Sequence, residues 1–403
     1  MEHRRILASV SVLSNNATSP APAIAPGADQ IDPAQVAASH QMDPRLDALV
    51  PGFDAPFFQA GLAGYSDAAM RIVARRHGCP FCVTEALLDR TLLAGGRGFA
   101  KADLGELHHN VPGGVEDHPL AGQIMGSDPD EMAAAADKMV RRNADRAAGA
   151  SFQAIDVNLA CPVKKIKNKA RGGHWLCDPI RAIDILKAVR DIVPANIPVT
   201  VKIRRGSDDS AQAERNFFTL FDGAYDVGCA WTTVHCRTVV QRYVGPSRWT
   251  FLRDLVRRRP DRIVFGSGDI WSAPDIFRMI QYTGVRAVSV ARGCIGNPWI
   301  FRQARDMLAG LPPTPPTIAQ QRCALEEHFA LSVAVNGEHK ARYLMRKFGI
   351  RFAQHHPFAE HVRVRFIKVQ SIADWRAVLD EWYTTEDGAA TDSCAPRPAL
   401  SHA

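Results

Sequence analysis

Eight short apolar runs of β-type residues, at 57–60, 81–85, 120–125, 154–159, 198–204, 231–237, 263–268 and 287–292, constrain the fold more than any other feature. Longer stretches with helical patterns separate them. Parallel neighbours in a sheet need a crossover long enough to hold a helix, so this alternation predicts a parallel sheet wrapped by helices. Two of the helical stretches, 128–146 and 178–193, open on Asp-Pro, an N-cap followed by a residue suited to the first turn. Eight strands, each followed by a helix, describe a TIM (β/α)8 barrel. An open doubly wound sheet shares the alternation, but no Gly-x-Gly-x-x-Gly follows the first strand. Glycines and polar residues recur instead at the ends of later strands, as a ring of barrel loops requires.

A chain of 403 residues has room for such a barrel and a smaller unit. Arg4-Arg5 and the apolar stretch 6–13 imitate an export signal, but serines interrupt it and an Ala/Pro-rich segment follows. Residues 1–48 are therefore expected as a disordered extension. The barrel is expected over 49–311, with a stiff linker at 312–319 built on Pro312-Pro313-Thr314-Pro315-Pro316. Helical patterns at 320–335, 339–354 and 372–383 predict a small all-helical domain over 320–385, and 386–403 reads as a disordered tail. No apolar run approaches the ~20 residues needed to cross a bilayer.

The formal charge of +7 favours an anionic partner, nucleic acid first, with an ordinary solvated surface as the plain alternative. Lys340, Arg342, Arg346, Lys347, Arg351, Arg363, Arg365 and Lys368 crowd the helical region and form an anion-binding patch if half of them share a face. Nine cysteines are too few for a disulfide framework at this length, which points to a reducing compartment, the cytoplasm.

The strand ends carry Gln123, Asn158, Cys161, Lys202, His235, Asp269 and Arg292, which converge on one mouth if the barrel closes. Cys161 stands between an apolar strand and a basic run, in Asn158-Leu159-Ala160-Cys161-Pro162-Val163-Lys164-Lys165. Taken without its neighbours it reads as a buried structural thiol. Lys202, in a strand of β-branched residues, must either snorkel or meet a buried anion or electron-rich ring. Gly266-Ser267-Gly268-Asp269 and Ala291-Arg292-Gly293 close the last two strands, where TIM barrels bind phosphate through backbone N–H groups. Cys79-Pro80-Phe81-Cys82 imitates a thiol-redox motif but enters a strand instead of opening a helix, and one such pair is a weak zinc signal. No metal is expected.

Seven motifs, in order, resemble those of the tRNA-dihydrouridine synthases, a family of flavin enzymes. They are Ala60-Gly61-Leu62-Ala63-Gly64-Tyr65-Ser66-Asp67, Gln123-Ile124-Met125-Gly126-Ser127, Asn158-Leu159-Ala160-Cys161-Pro162, Val201-Lys202-Ile203-Arg204, Val234-His235-Cys236-Arg237-Thr238, Gly266-Ser267-Gly268-Asp269-Ile270 and Ala291-Arg292-Gly293-Cys294-Ile295-Gly296-Asn297-Pro298-Trp299. The resemblance implies a TIM barrel holding FMN at its carboxyl face, a helical domain that helps to hold tRNA, and NADPH as reductant. It implies that Gly61, Leu62 and Ala63 line the flavin, that Gln123, Lys202 and His235 face its ring, and that Ser267, Gly268, Asp269, Ala291 and Arg292 surround its phosphate. Asn158 would lie between flavin and uridine. The implied reaction moves a hydride from N5 of reduced FMN to C6 of the base, with Cys161 as the acid that protonates C5. A thiol, with a reference pKa near 8.5, is protonated at neutral pH yet able to release its proton.

A base turned out of folded tRNA costs a few kcal/mol, which contacts to the RNA backbone must offset. Lys164, Lys165, Lys169 and Arg171, after the cysteine, and Lys340, Arg342, Arg346 and Lys347, in the helices, are the expected RNA contacts. The chain departs from the family pattern where Pro-Met is replaced by Gly61-Leu62, glycine by Ala160 and asparagine by Ser267, and in the loop 170–175. Two other readings keep part of the pattern: an FMN dehydrogenase of a free pyrimidine-like molecule, and a tRNA-binding protein without catalysis. A monomer is expected, and the catalytic motifs do not specify which uridine is reduced.

Overall fold

Side chains that alternate in and out along each run, and backbones that must all be paired, close the sheet on itself. In the computed structural model, which describes residues 25–94, 115–144, 152–163 and 171–384, the strands are β1 (Phe57–Gln59), β2 (Cys82–Val83), β3 (Leu87–Leu88), β4 (Leu120–Met125), β5 (Ala154–Asn158), β6 (Val199–Arg204), β7 (Thr232–His235), β8 (Val264–Ser267) and β9 (Ala287–Val290). All pairings are parallel. β1 meets β2 on one side and β9 on the other, and β2 meets β4, so eight strands form a closed barrel. The expected second strand is interrupted: β2 pairs with the start of β4, and β3 pairs with its end.

Helices cover the outside. They include α3 (Ala68–Arg76), α4 (Asp89–Ala94), α5 (Pro129–Ala144), α6 (Pro179–Ile192), α7 (Ala211–Asp226), α8 (Trp249–Arg258), α9 (Ala273–Thr283) and α10 (Trp299–Leu308). The inward side chains near the amino-terminal end of the strands are aromatic. Phe53 stacks on Phe81 with ring centroids 5.0 Å apart, Phe58 lies 5.5 Å from Phe265, and Trp231 lies 5.1 Å from Phe265.

The extension does not follow expectation. From Ala25 onward it is folded, with helices α1 (Pro33–Ala38) and α2 (Pro44–Leu49) ahead of the barrel. Leu46 and Val50 are fully buried against the aromatic floor, and Ala28 and Ala37 are buried against the outer helices, so burial of apolar side chains holds the segment in place. Both helices open on Asp-Pro with the aspartate capping, the same signal that marked the later helices.

Beyond the Pro-rich segment, Thr317 and Gln320 form a capping box that starts α11 (Ile318–Phe352), followed by α12 (Ala359–Lys368) and α13 (Ile372–Trp382). The two expected helices are halves of α11, broken at Gly337, whose φ of 74° and ψ of 156° leave the helical region. This region packs on the barrel. Asn336 Nδ2 donates to Asp67 Oδ2 at 2.9 Å, Tyr65 meets Phe348 edge-on, and Met345, Phe348 and Phe352 are buried in the core that also covers the barrel.

Candidate active site

Because side chains alternate along a strand, Asp156 and Asn158 on β5 point inward together, as do Thr200, Lys202 and Arg204 on β6. The register places Gln123 beside Asp156 and Asp156 beside Thr200, and, one layer higher, Asn158 beside Lys202. Four of these groups are joined. Thr200 Oγ1 donates to Asp156 Oδ1 at 2.7 Å, and Gln123 Nε2 donates to Asp156 Oδ2 at 2.7 Å. Asn158 Nδ2 donates to Gln123 Oε1 at 2.7 Å, and its own Oδ1 accepts the Ala160 N–H at 3.0 Å. The chain of bonds thus runs from the barrel centre to the residue before Cys161.

A cavity above the aromatic floor is lined by Gly61, Gln123, Asp156, Thr200, Lys202, Thr233 and Ser289 among others. A second is lined by His235, Ser267, Gly268, Asp269, Ala291 and Arg292, with Ser289 common to both. Nine of the expected cofactor residues therefore meet in two adjoining cavities at the carboxyl ends of the strands. Leu62, Ala63 and Asn158 line neither: the Leu62 N–H donates to Ser66 Oγ at 2.7 Å, Ala63 is exposed, and Asn158 reaches the first cavity only through its bond to Gln123. Gly61 is needed by close approach: a Cβ there would stand 2.3 Å from the Thr84 carbonyl oxygen.

Burial lowers the Lys202 pKa to about 8, with the Asp156 carboxylate opposing the shift, and its Nζ lies 3.5 Å from Ser267 Oγ. Burial and the surrounding cations Arg204, Lys202, Arg237 and Arg292 hold His235 well below its ordinary value. It is neutral, and its Nδ1 accepts the Arg237 N–H at 3.1 Å, which leaves the proton on Nε2. The Cys161 thiol is raised by burial, so at neutral pH it carries its proton. Its backbone is held from two sides. Arg204 Nε donates to the Ala160 carbonyl at 2.8 Å while its Nη1 donates to the carbonyls of Thr238 and Arg242, and the Gly173 N–H donates to the Cys161 carbonyl at 3.0 Å. A side chain at Gly172 would collide with Cys161, its Cβ 2.8 Å from that of the cysteine.

Positive charge at the mouth is only partly paired. The Asp269 carboxylate accepts from Arg237 Nη2 at 2.6 Å and from the Ser247 N–H at 2.7 Å, so it is a structural partner of Arg237 and does not face a ligand with free oxygens alone. Arg292 lies between the rings of Tyr243 and Trp271, 4.9 and 4.8 Å from their centroids, and makes no ion pair with any described residue. Ser289 Oγ, which lines both cavities, is buried without a partner among the described residues. Unfilled donors around a cavity mark an anion site.

The expected RNA contacts divide. Lys164, Lys165 and Lys169 lie outside the described residues. Arg171 is a correction: it is buried, and its Nη2 pairs with buried Asp89 at 2.9 Å, which also accepts the Ser127 N–H, so its charge is used inside the barrel wall. Lys340 is exposed on α11, and Arg342 and Arg346 are half-buried there, Arg342 lying 4.6 Å from the Tyr343 ring centroid. Lys347 is turned to the barrel, where it donates to the Gly64 carbonyl and sits 3.3 Å from the Tyr65 ring centroid.

Asp156, Thr200, Arg204 and Arg237 were missed as site residues. The first three were legible, since each stands two residues from an expected one in the same strand. Arg237 stands two residues after His235 in the same expected run, but its pairing with Asp269, 32 positions on, was not legible.

Polar groups gathered at the carboxyl mouth of a closed (β/α)8 barrel, over an apolar floor, define the chain as a TIM-barrel enzyme. More narrowly, the chain belongs to the dihydrouridine synthase family, which it matches over residues 58–393. It is 33% identical over 332 residues to a probable tRNA-dihydrouridine synthase of Treponema pallidum, covering 80% of this chain and 91% of that one. It is 32% identical over 347 residues to tRNA-dihydrouridine synthase B of Pseudomonas aeruginosa, covering 83% and 95%, and 31% identical over 298 residues to that of Shewanella oneidensis, covering 74% and 83%. Membership makes it an enzyme of the dihydrouridine synthase class.

Proposed function

We propose that this enzyme reduces the C5–C6 double bond of a uridine in tRNA, using FMN and NADPH, as a cytoplasmic monomer. The observation that carries the reading is a protonated thiol, Cys161, held at the mouth beside the ordered amide of Asn158 and above the charged interior. The residues fit FMN. Arg292 and Ser289 Oγ have donors to spare for a phosphate in the cavity that Ser267 and Gly268 also line. Lys202 and Gln123 reach the neighbouring cavity, where a flavin ring would find one cation and one amide.

FMN, when bound and reduced by NADPH, supplies the hydride for C6. Cys161 Sγ then gives its proton to C5, and burial favours the thiol that does so. Lys202 sets positive charge against the electron-rich ring in a pocket shielded from water, where charge acts more strongly than in bulk. Arg204 and the Gly172-Gly173 turn keep the thiol in one place. Lys340, Arg342 and Arg346, with Lys164, Lys165 and Lys169, would meet RNA phosphates, which makes binding fall steeply with salt.

The purified protein is expected to be yellow or to take up FMN, and to form dihydrouridine in unmodified tRNA but not from free uridine. Reduction of free uridine at a comparable rate would select a small-molecule dehydrogenase instead, and tRNA binding without FMN uptake would select a non-catalytic binder.

A further inference from the structure

Asp156 is a buried carboxylate at the centre of the barrel that none of the roles above uses. It is expensive there. Burial raises its pKa, and the Thr200 hydroxyl, the Gln123 amide and the Lys202 charge oppose that rise, both carboxyl oxygens accepting a hydrogen bond. An ionised carboxylate only accepts hydrogen bonds, whereas an amide has one accepting and one donating end. Gln123 must therefore turn its Nε2 towards Asp156, at 2.7 Å, which leaves Oε1 facing upward. Asn158 must in turn offer its Nδ2 to that oxygen, and its Oδ1 is left for the Ala160 N–H. One charge thus decides the direction of two amides in succession, at the two positions that face the ligands in the reading above.

We propose that Asp156 is the positioning residue of this site: its carboxylate fixes the amide of Gln123 and, through it, the amide of Asn158, so that each presents one constant edge to flavin and uridine. The inference rests on the functional reading just given. Thr200 serves as the second anchor, holding the other carboxylate oxygen so that Oδ2 stays aimed at Gln123. A neutral Asn at 156 keeps the volume but can either donate or accept, and both amides above it then lose their single direction.

The test compares wild type with Asp156→Asn in four readouts: the FMN dissociation constant by fluorescence, the melting temperature, kcat and KM for tRNA, and the side-chain amide resonances of selectively labelled Gln123 and Asn158. Losing a charge-assisted hydrogen bond predicts FMN binding weaker by about tenfold and kcat lower by about tenfold. The melting temperature and the KM for tRNA are expected to stay close to wild type, and the two amide resonances to broaden or split. FMN affinity and kcat equal to wild type in folded Asp156→Asn overturn the proposal. So does weakened FMN binding with both amide resonances unchanged, which assigns the effect to the charge on Lys202. If Asp156→Asn does not fold, Thr200→Val removes one anchor at constant volume and is expected to weaken FMN binding several-fold; unchanged binding there also overturns the proposal. Wild-type protein that binds FMN but forms no dihydrouridine defeats the functional reading, while the FMN affinities and amide resonances still decide the role of Asp156.

Discussion

The two ends of the barrel interior are built on opposite terms. The amino-terminal end is packed with Phe53, Phe58, Phe81, Trp231 and Phe265, closed from below by Leu46 and Val50. The carboxyl end holds Gln123, Asp156, Asn158, Lys202 and His235, three of which have their charged forms disfavoured by burial. A floor of aromatic rings gains from every contact, while a buried charge costs stability unless something binds it. One end makes the barrel fold, and the other is kept ready for a ligand.

That contrast can be broken by substitutions that move stability and activity separately. Phe265→Ala empties part of the floor and is expected to cost about 4 kcal/mol in denaturant unfolding, with kcat per folded molecule nearly unchanged. A large fall in kcat would mean that floor and site are one mechanical unit. Arg171→Ala leaves Asp89 short of its cation and is expected to cost about 3 kcal/mol, without altering the salt dependence of tRNA binding. A shallower salt slope would restore Arg171 to the RNA surface.

His328 in the helical region sharpens the comparison, because it too is a buried titratable group, but one with no ligand to serve. Both ring nitrogens lack partners among the described residues, it packs 4.2 Å from the Phe348 ring, and burial lowers its pKa to about 4. The unfolded chain, with histidine near 6.5, binds the proton more readily, so stability is full above that value and is lost as pH falls towards 4. Between pH 7.5 and 5 this loss is about 2 kcal/mol, and His328→Leu is expected to lack it in paired unfolding curves. Equal slopes for the two proteins would show His328 reaching water.

The last substitution is expected to stabilise, unlike the first two. Lys202 is depressed from 10.5 to about 8, so its ammonium opposes folding of the ligand-free protein below pH 8, a cost that disappears as pH rises through 10.5. Lys202→Met is expected to stabilise that protein at pH 7 by about 1 kcal/mol while weakening FMN binding. Destabilisation by the same change would mean that Lys202 belongs structurally with the floor.

All eight strands were legible, because short apolar β-type runs and intervening helical patterns mark a barrel without reference to distant residues. The strand-end rule also found Gln123, Asn158, Lys202 and His235, whose direction follows from alternation alone. The failures have a common cause in partners far away in the chain. Arg171 reads as one more cation in a basic run until Asp89, 82 positions earlier, takes it inside. The segment around α1 and α2 reads as a leader because its few apolar residues find their core only once the barrel closes, although Asp32-Pro33 and Asp43-Pro44 carried the capping signal.

The central claim concerns Cys161, and the most direct measurement is the amount of dihydrouridine formed in unmodified tRNA by FMN-loaded wild type and by FMN-loaded Cys161→Ala with NADPH. The account predicts that wild type forms dihydrouridine and that the variant, with unchanged FMN content and melting temperature, forms it slower by about 100-fold or more. A variant as fast as wild type would contradict it.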